Sequence, residues 1–270
     1  MTALPQTEFV RRYGPWAMVA GASEGIGAAF ARQLAERGLS ILLIARRAEP
    51  LAALAEELRT RYRVEVKTIS LDLAAADVQE RAQKLALEHE VGLLVYNAAF
   101  STVARFIDTS VEEKLRTVEV NVRAPLLFAH VVVPQMVQRG RGGVVLMSSL
   151  TALFGAPYVA TYGATKAFNL ALAEALAFEL APRGVDVLAC CAGATETPAF
   201  RKAADRAGGK QPSAMAAEDV VKEALAKLPR QGSMIPGRLN RLAAFVLGRL
   251  LPRRVAVGIM GRATEAMLER

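Results

Sequence analysis

The chain has 270 residues, of which 53% are hydrophobic and 22% charged, with a formal net charge of +8. That much apolar material builds a sizeable core and excludes disorder over any long stretch. The two cysteines, Cys190 and Cys191, are adjacent. In a strand they point to opposite faces, so the sequence carries no disulfide framework and no sign of a metal site, a pattern that suits a reducing compartment.

The segment Met1–Tyr13 is polar and lacks the apolar centre of a signal peptide, and no run of eighteen apolar residues follows. The expectation is a soluble, cytoplasmic protein. A basic chain can serve nucleic acid, a membrane surface or a phosphorylated ligand. No nucleic-acid motif accompanies the charge, so a phosphorylated cofactor is the simplest account.

Short apolar runs then alternate with helical periodicity. Trp16–Ala20, Ser40–Ala45, Val64–Ser70, Leu93–Tyr96, Val144–Ser148 and Val185–Cys191 read as strands. Ile26–Arg37, Leu51–Arg61, Asp77–Glu88, Val111–Gln138 and Tyr162–Ala181 read as helices. Continuous apolar strands suit a parallel sheet covered on both faces. The alternation predicts an α/β fold: one doubly wound Rossmann domain of about seven strands. Its core would span 14–236, with 237–270 as a helical extension, Arg238–Leu250 and Val255–Glu269, broken at Pro252.

Gly21-Ala22-Ser23-Glu24-Gly25-Ile26-Gly27 follows the first strand and opens a helix. Glycines there permit a tight turn and close approach to a pyrophosphate at a helix N-terminus. After the second strand, where NAD enzymes place a carboxylate for the ribose hydroxyls, this chain has Arg46 and Arg47. A guanidinium can grip the 2′-phosphate of NADP, and the Ser23 hydroxyl can assist. NADP(H) is the expected cofactor.

Tyr162 and Lys166 stand one helical turn apart on one face. A phenol exchanges protons near neutrality only if its pKa falls from about 10, and three units require about 4 kcal/mol. Lys166, together with an oxidised nicotinamide, is the expected source. Ser149 ends the fifth strand, where its hydroxyl can hold a substrate carbonyl.

Together these residues resemble the signature of the short-chain dehydrogenase/reductase family, over residues 14–200. The family's TGxxxGxG corresponds to Ala20-Gly21 through Gly27, and its NNAG to Tyr96-Asn97-Ala98-Ala99. Its helix asparagine falls on Asn121, its serine and YxxxK on Ser149, Tyr162 and Lys166, and its PG on Ala192-Gly193. The resemblance implies Tyr162 as general acid in reduction, Lys166 on the nicotinamide ribose, Ser149 on the carbonyl, and Asn121 holding a water beside Lys166. It implies a cofactor cleft formed by Gly21, Ser23, Glu24, Gly25, Ile26, Gly27, Arg46, Arg47, Asp72, Leu73, Asn97, Ala98, Gly193, Thr195 and Thr197, with Asp72 at the adenine and Asn97 beside the adenosine ribose. The chain departs from the family pattern at Ala20, Tyr96, Ala99 and Ala192, none of them a reacting group. Tyr13-Gly14-Pro15-Trp16-Ala17, Ala164-Thr165-Lys166-Ala167-Phe168 and Ile235-Pro236-Gly237 resemble the branch holding hydroxysteroid dehydrogenases and long-chain β-ketoacyl reductases.

The implied activity is NADPH-dependent reduction of an apolar ketone, β-ketoacyl or steroid-like, or the reverse oxidation. A catalytically silent nucleotide-binding scaffold on the same fold is the alternative, and charge-driven nucleic-acid binding is a third reading. Glu196–Ala217 is expected to form a lid over the substrate, with Phe200 beside Arg201, Lys202, Arg206 and Lys210. A homodimer through the long helices is expected, with a tetramer left open, and Phe168, Leu172, Leu176 and Leu180 serve either that interface or the core. The extension carries seven arginines against two glutamates. Its stripe Leu239, Leu242, Ala243, Val246 and Leu250 is expected to bury while the arginines guide an anionic acyl carrier or rest on a membrane, the alternative being a docked helix pair whose arginines are merely solvated.

Overall fold

The computed structural model describes residues 5–206, 214–230, 232–265 and 268. Seven parallel strands form the main sheet: β1 (Trp16–Ala20), β2 (Ser40–Ala45), β3 (Val66–Ser70), β4 (Val91–Tyr96), β5 (Gly142–Ser149), β6 (Val185–Ala192) and β9 (Gly232–Met234), in the order β3-β2-β1-β4-β5-β6-β9. A two-stranded parallel pair, β7 (Thr195–Glu196) and β8 (Met215–Ala216), lies beyond β6.

Alternation along each strand sends side chains to two separate cores. Ala17, Val19, Ile41 and Leu43 meet α2 (Gly25–Glu36), α3 (Ala48–Tyr62) and α9 (Ala217–Lys227) on one face. Met18, Ala20, Leu42 and Ile44 meet α4 (Val78–Glu88), α6 (Ala124–Arg139) and α7 (Ala160–Leu180) on the other. The inner strands β1, β2, β4, β5 and β6 are buried on both faces, which is why they read as nearly uninterrupted apolar runs, while the edge strand β3 is largely exposed.

The N-terminal segment is more than a polar leader. It contains α1 (Gln6–Tyr13), which buries Phe9 and Tyr13. Asp186, at the start of β6, is wholly buried and accepts hydrogen bonds from Arg12 Nε, from Arg12 Nη2 at 2.8 Å and from the Tyr13 hydroxyl at 2.7 Å. A carboxylate this deep is tolerable because three donors replace its hydration.

The helix expected over Val111–Gln138 is interrupted. It runs as α5 (Val111–Val118), a π turn at Glu119–Arg123, then α6. The whole stretch is long and apolar enough to cross a membrane by length and composition, yet Val120, Ala124, Phe128, Val132 and Met136 line the sheet core. Leu172, Leu176 and Leu180 of α7 pack half-buried on that same core.

After α8 (Pro198–Arg206), the expected lid lies partly outside the described residues, including Lys210. The extension forms α10 (Arg238–Phe245), a π turn at Val246–Leu250 and α11 (Arg253–Glu265); Glu269 lies outside the described residues. One expectation fails here. Leu239, Leu242 and Leu250 are exposed, at 78%, 59% and 63%. Ala243 is exposed as well, and the half-buried positions are Asn240, Ala244, Val246 and Leu247.

Candidate active site

A cleft of about 550 Å³ opens at the C-terminal ends of β1, β4, β5 and β6, where the sheet order reverses between β1 and β4. Open α/β sheets bind ligands at this place. Every expected site residue lines it except Gly27 and Asn121, which stand directly behind its wall.

At one end lies the glycine turn. Gly21 has φ of 81°, and a Cβ on it would come within 2.5 Å of the Ala98 nitrogen, so only glycine lets β1 and β4 close here. Asn97 and Ala98 both donate their backbone N–H to the Ala20 carbonyl at 2.9 Å, and Asn97 Nδ2 donates to the Gly21 carbonyl at 2.9 Å. These bonds tie the turn to the fourth strand without the threonine that Ala20 replaces. Gly25 and Ile26 then open α2 at the cleft wall. First-turn N–H groups have no acceptor within a helix, so this donor set fits a pyrophosphate.

Arg46, Arg47, Asp72 and Arg116 surround the far end. Arg47 Nη2 donates to Glu24 and, at 3.4 Å, to the Ser23 hydroxyl. Arg116 donates to Asp72 Oδ2 at 2.8 Å, and the Ala74 N–H bonds Oδ1 at 3.1 Å. Burial opposes ionisation of Asp72, yet the Ala74 N–H and the Arg116 guanidinium hold its carboxyl below the ordinary range. Sequence reasoning did not find Arg116, which reaches Asp72 from α5, 44 positions away. No carboxylate stands at the end of β2 to hold ribose hydroxyls, and the arginines fit an additional phosphate.

At the other end, Ser149 closes β5 and accepts the Thr151 N–H at 3.2 Å on its hydroxyl. Tyr162 and Lys166 project from the first turns of α7. Burial pushes the Tyr162 phenol above its usual pKa, with the Ser149 hydroxyl pulling the other way. Burial also draws the Lys166 ammonium down to about 8. Its Nζ donates to the Met147 carbonyl at 2.8 Å and lies 5.5 Å from the Tyr162 ring centroid. Lys166 and an oxidised nicotinamide together are the expected source of any lowering; burial works against it, and the phenol stays protonated near neutrality. A protonated phenol is the form that donates to a carbonyl oxygen.

Asn121 spends its amide on structure. Its Oδ1 accepts the Phe100 N–H at 2.8 Å, and its Nδ2 donates to the Phe100 carbonyl at 2.9 Å and to Thr165 Oγ1 at 3.1 Å. It joins the loop after β4 to the helix bearing Tyr162 and Lys166. The π turn around it has a local cause. The Ala124 N–H is drawn back to the Glu119 carbonyl, and the next nitrogen belongs to Pro125, which carries no hydrogen. The Val120 carbonyl thus lacks a helical donor, and the buried Tyr96 hydroxyl supplies one at 2.6 Å. Tyr96 departs from the family's asparagine, and this bond is what it does instead.

The extension packs over the Gly193 side of the cleft and the loop after β5. A Cβ on Gly193 would come within 2.8 Å of Asn240 of α10, and one on Gly261 within 3.1 Å of Pro157. The Tyr158 hydroxyl, on a residue held at φ of 65°, donates to Glu265 at 2.9 Å. Phe200 of α8 also faces the cleft.

With this geometry in place, a short chain dehydrogenase profile matches residues 15–208. The chain belongs to the short-chain dehydrogenase family. The 7beta-hydroxysteroid dehydrogenase of Clostridium sardiniense is 31% identical over 233 residues, 86% of this chain and 89% of that one. A very-long-chain 3-oxoacyl-CoA reductase of Podospora anserina is 38% identical over 186 residues, 66% of this chain and 55% of that one. The human inactive hydroxysteroid dehydrogenase-like protein 1 is 35% identical over 185 residues, 67% of this chain and 56% of that one. A solved structure from work on 7beta-hydroxysteroid dehydrogenase stereoselectivity superimposes with a TM-score of 0.86 at 31% identity, covering 93% of this chain and 98% of that one. The short-chain dehydrogenase from Sphingobium yanoikuyae in complex with NADPH gives 0.77 at 32%, covering 88% and 94%. Within the short-chain dehydrogenases, the chain falls in the hydroxysteroid dehydrogenase and β-ketoacyl reductase branch.

Proposed function

We propose that the protein is an NADPH-dependent carbonyl reductase, acting on an apolar ketone of the steroid or β-ketoacyl kind or on the corresponding secondary alcohol. The observation that carries this reading is the meeting of Ser149, Tyr162 and Lys166 in one cleft whose far end holds Arg46, Arg47 and Arg116. A bound reduced nicotinamide supplies the hydride. The chain's own residues do the rest: Ser149 orients the carbonyl, and the Tyr162 phenol donates its proton to the oxygen. The charged Lys166 then stabilises the phenolate that remains.

The NADPH-bound relative and the absence of a carboxylate after β2 favour NADPH over NADH. The relative named as inactive favours a second reading, a nucleotide-binding protein without turnover. One experiment separates them. NADPH consumption is followed with steroid ketones and β-ketoacyl thioesters, for the wild type and Tyr162→Phe. Turnover that drops by at least ~10²-fold in the variant, with NADPH binding kept, supports the reductase. NADPH binding with no turnover on any of these ketones supports the silent reading.

We further propose a homodimer. Val111, Leu115, Val118 and Leu126 lie exposed along α5 and the start of α6, a more open apolar face than the half-buried stripe of α7. A monomeric mass by light scattering overturns it.

A further inference from the structure

The geometry points to the outer face of α10 and the π turn after it as a docking surface for an anionic lipid membrane. Leu239, Leu242 and Phe245 stand 78%, 59% and 55% exposed, and Leu250 follows at the end of the π turn. Spaced three apart on a helix, the first three fall within one outward arc. Arg238 and Arg249 are exposed along the same segment. A surface that is both apolar and cationic matches the boundary of an anionic bilayer, where side chains enter the acyl region and guanidinium groups meet phosphates.

Three observations favour a membrane over other occupants. The chain has no aspartate or glutamate from Ala224 to Thr264, so nothing in this stretch neutralises its arginines. A second copy docked face to face would oppose arginine to arginine across the two-fold axis. Among the described residues, the carboxylate that reaches the segment, Glu223, is already engaged: it accepts from Arg241 at 2.9 Å and from the Gly237 N–H, fixing the base of α10 to α9. The helix is therefore held from within while its outer face stays open.

The placement suits an apolar substrate. Asn240, on the inner side of α10, packs on Gly193 at the cleft. Docking by the outer side would set the substrate end of the enzyme beside the phase in which such molecules dissolve.

The test is co-sedimentation of the full-length protein with vesicles of phosphatidylcholine alone and of phosphatidylcholine with phosphatidylglycerol, at low and high salt. Binding is expected to the anionic vesicles only, and to weaken with salt. Arg238→Gln with Arg249→Gln should weaken it by at least roughly tenfold. Leu239→Ser with Leu242→Ser and Phe245→Ser should abolish it. These positions are exposed, so a thermal melt close to the wild type's accompanies the loss. Absence of binding, or equal binding to both vesicles, overturns the proposal. So does a fall in solution mass of the triple-serine variant, which would assign the face to a second copy.

Discussion

The Tyr96 hydroxyl donates to the Val120 carbonyl inside the π turn that carries Asn121. Pro125 deprives that carbonyl of a helical donor, so the phenol holds the turn open from the neighbouring strand. Tyr96→Phe keeps the ring, which packs on Phe128, and leaves the carbonyl buried and unpaired. The expected loss is about 1–3 kcal/mol of unfolding free energy, read by urea titration. Turnover should fall with it, because Asn121 braces the helix that carries Tyr162 and Lys166 into the cleft. Unchanged stability and turnover would remove Tyr96 from this role.

At the cofactor end, Arg47 is paired with Glu24. To grip a 2′-phosphate it must exchange a carboxylate for that phosphate. Glu24→Gln should therefore tighten NADPH and leave NADH little changed, and Arg46→Ala should narrow the preference for NADPH by roughly 10–100-fold. Fluorescence titration of both cofactors checks each variant. Equal affinity of the wild type for NADPH and NADH would sink the phosphate assignment.

Burial draws the Lys166 ammonium down to about 8, below the ordinary lysine value of about 10.4. Reductive kcat/KM should show an alkaline limb near that pH, since the ammonium is lost there while the phenol, raised by burial, keeps its proton. Lys166→Arg should move the limb upward if activity survives. The stability sign is the reverse of the usual ion pair. Between about pH 8 and 10.4 the unfolded chain binds the additional proton, so folding gains with rising pH. Lys166→Met should thus be more stable than wild type near neutrality and lose that advantage towards about pH 10.

Asp186 lies at the other end of the sheet from the cleft. Asp186→Ala leaves the Tyr13 hydroxyl and the Arg12 guanidinium without their acceptor. A loss of about 3 kcal/mol is expected, reduced from the fully buried case because Arg12 is partly exposed. Below the shifted melting transition, kcat should be near wild type. A melting temperature equal to the wild type's would show that α1 docks without this cluster.

The sheet was legible because its inner strands are buried on both faces, and the glycine turn, Ser149, Tyr162 and Lys166 because they sit at fixed junctions between elements. β9 escaped notice: Gly232–Met234 has three residues, too few for periodicity, and gains its place only by pairing with β6. The π turn was invisible because the apolar spacing of α5 and α6 continues through it, while its cause lies in Pro125 and a tyrosine on β4. Arg116 was missed because a helical arginine looks solvated until the fold brings Asp72 beside it. The leucines of α10 teach a different lesson. Periodicity finds an apolar face, but what covers that face is a tertiary fact.

The bond from Tyr158 to Glu265 joins the last helix to the loop between Ser149 and Tyr162, and Asn240 seats the preceding helix on Gly193. The tail is accordingly no interchangeable cassette. A chimera that borrows this segment from a relative must bring the matching loop with it, or the two halves of the substrate wall will be cut to different patterns. Fusion tags for purification belong at the opposite terminus, where α1 is clamped far from the chemistry.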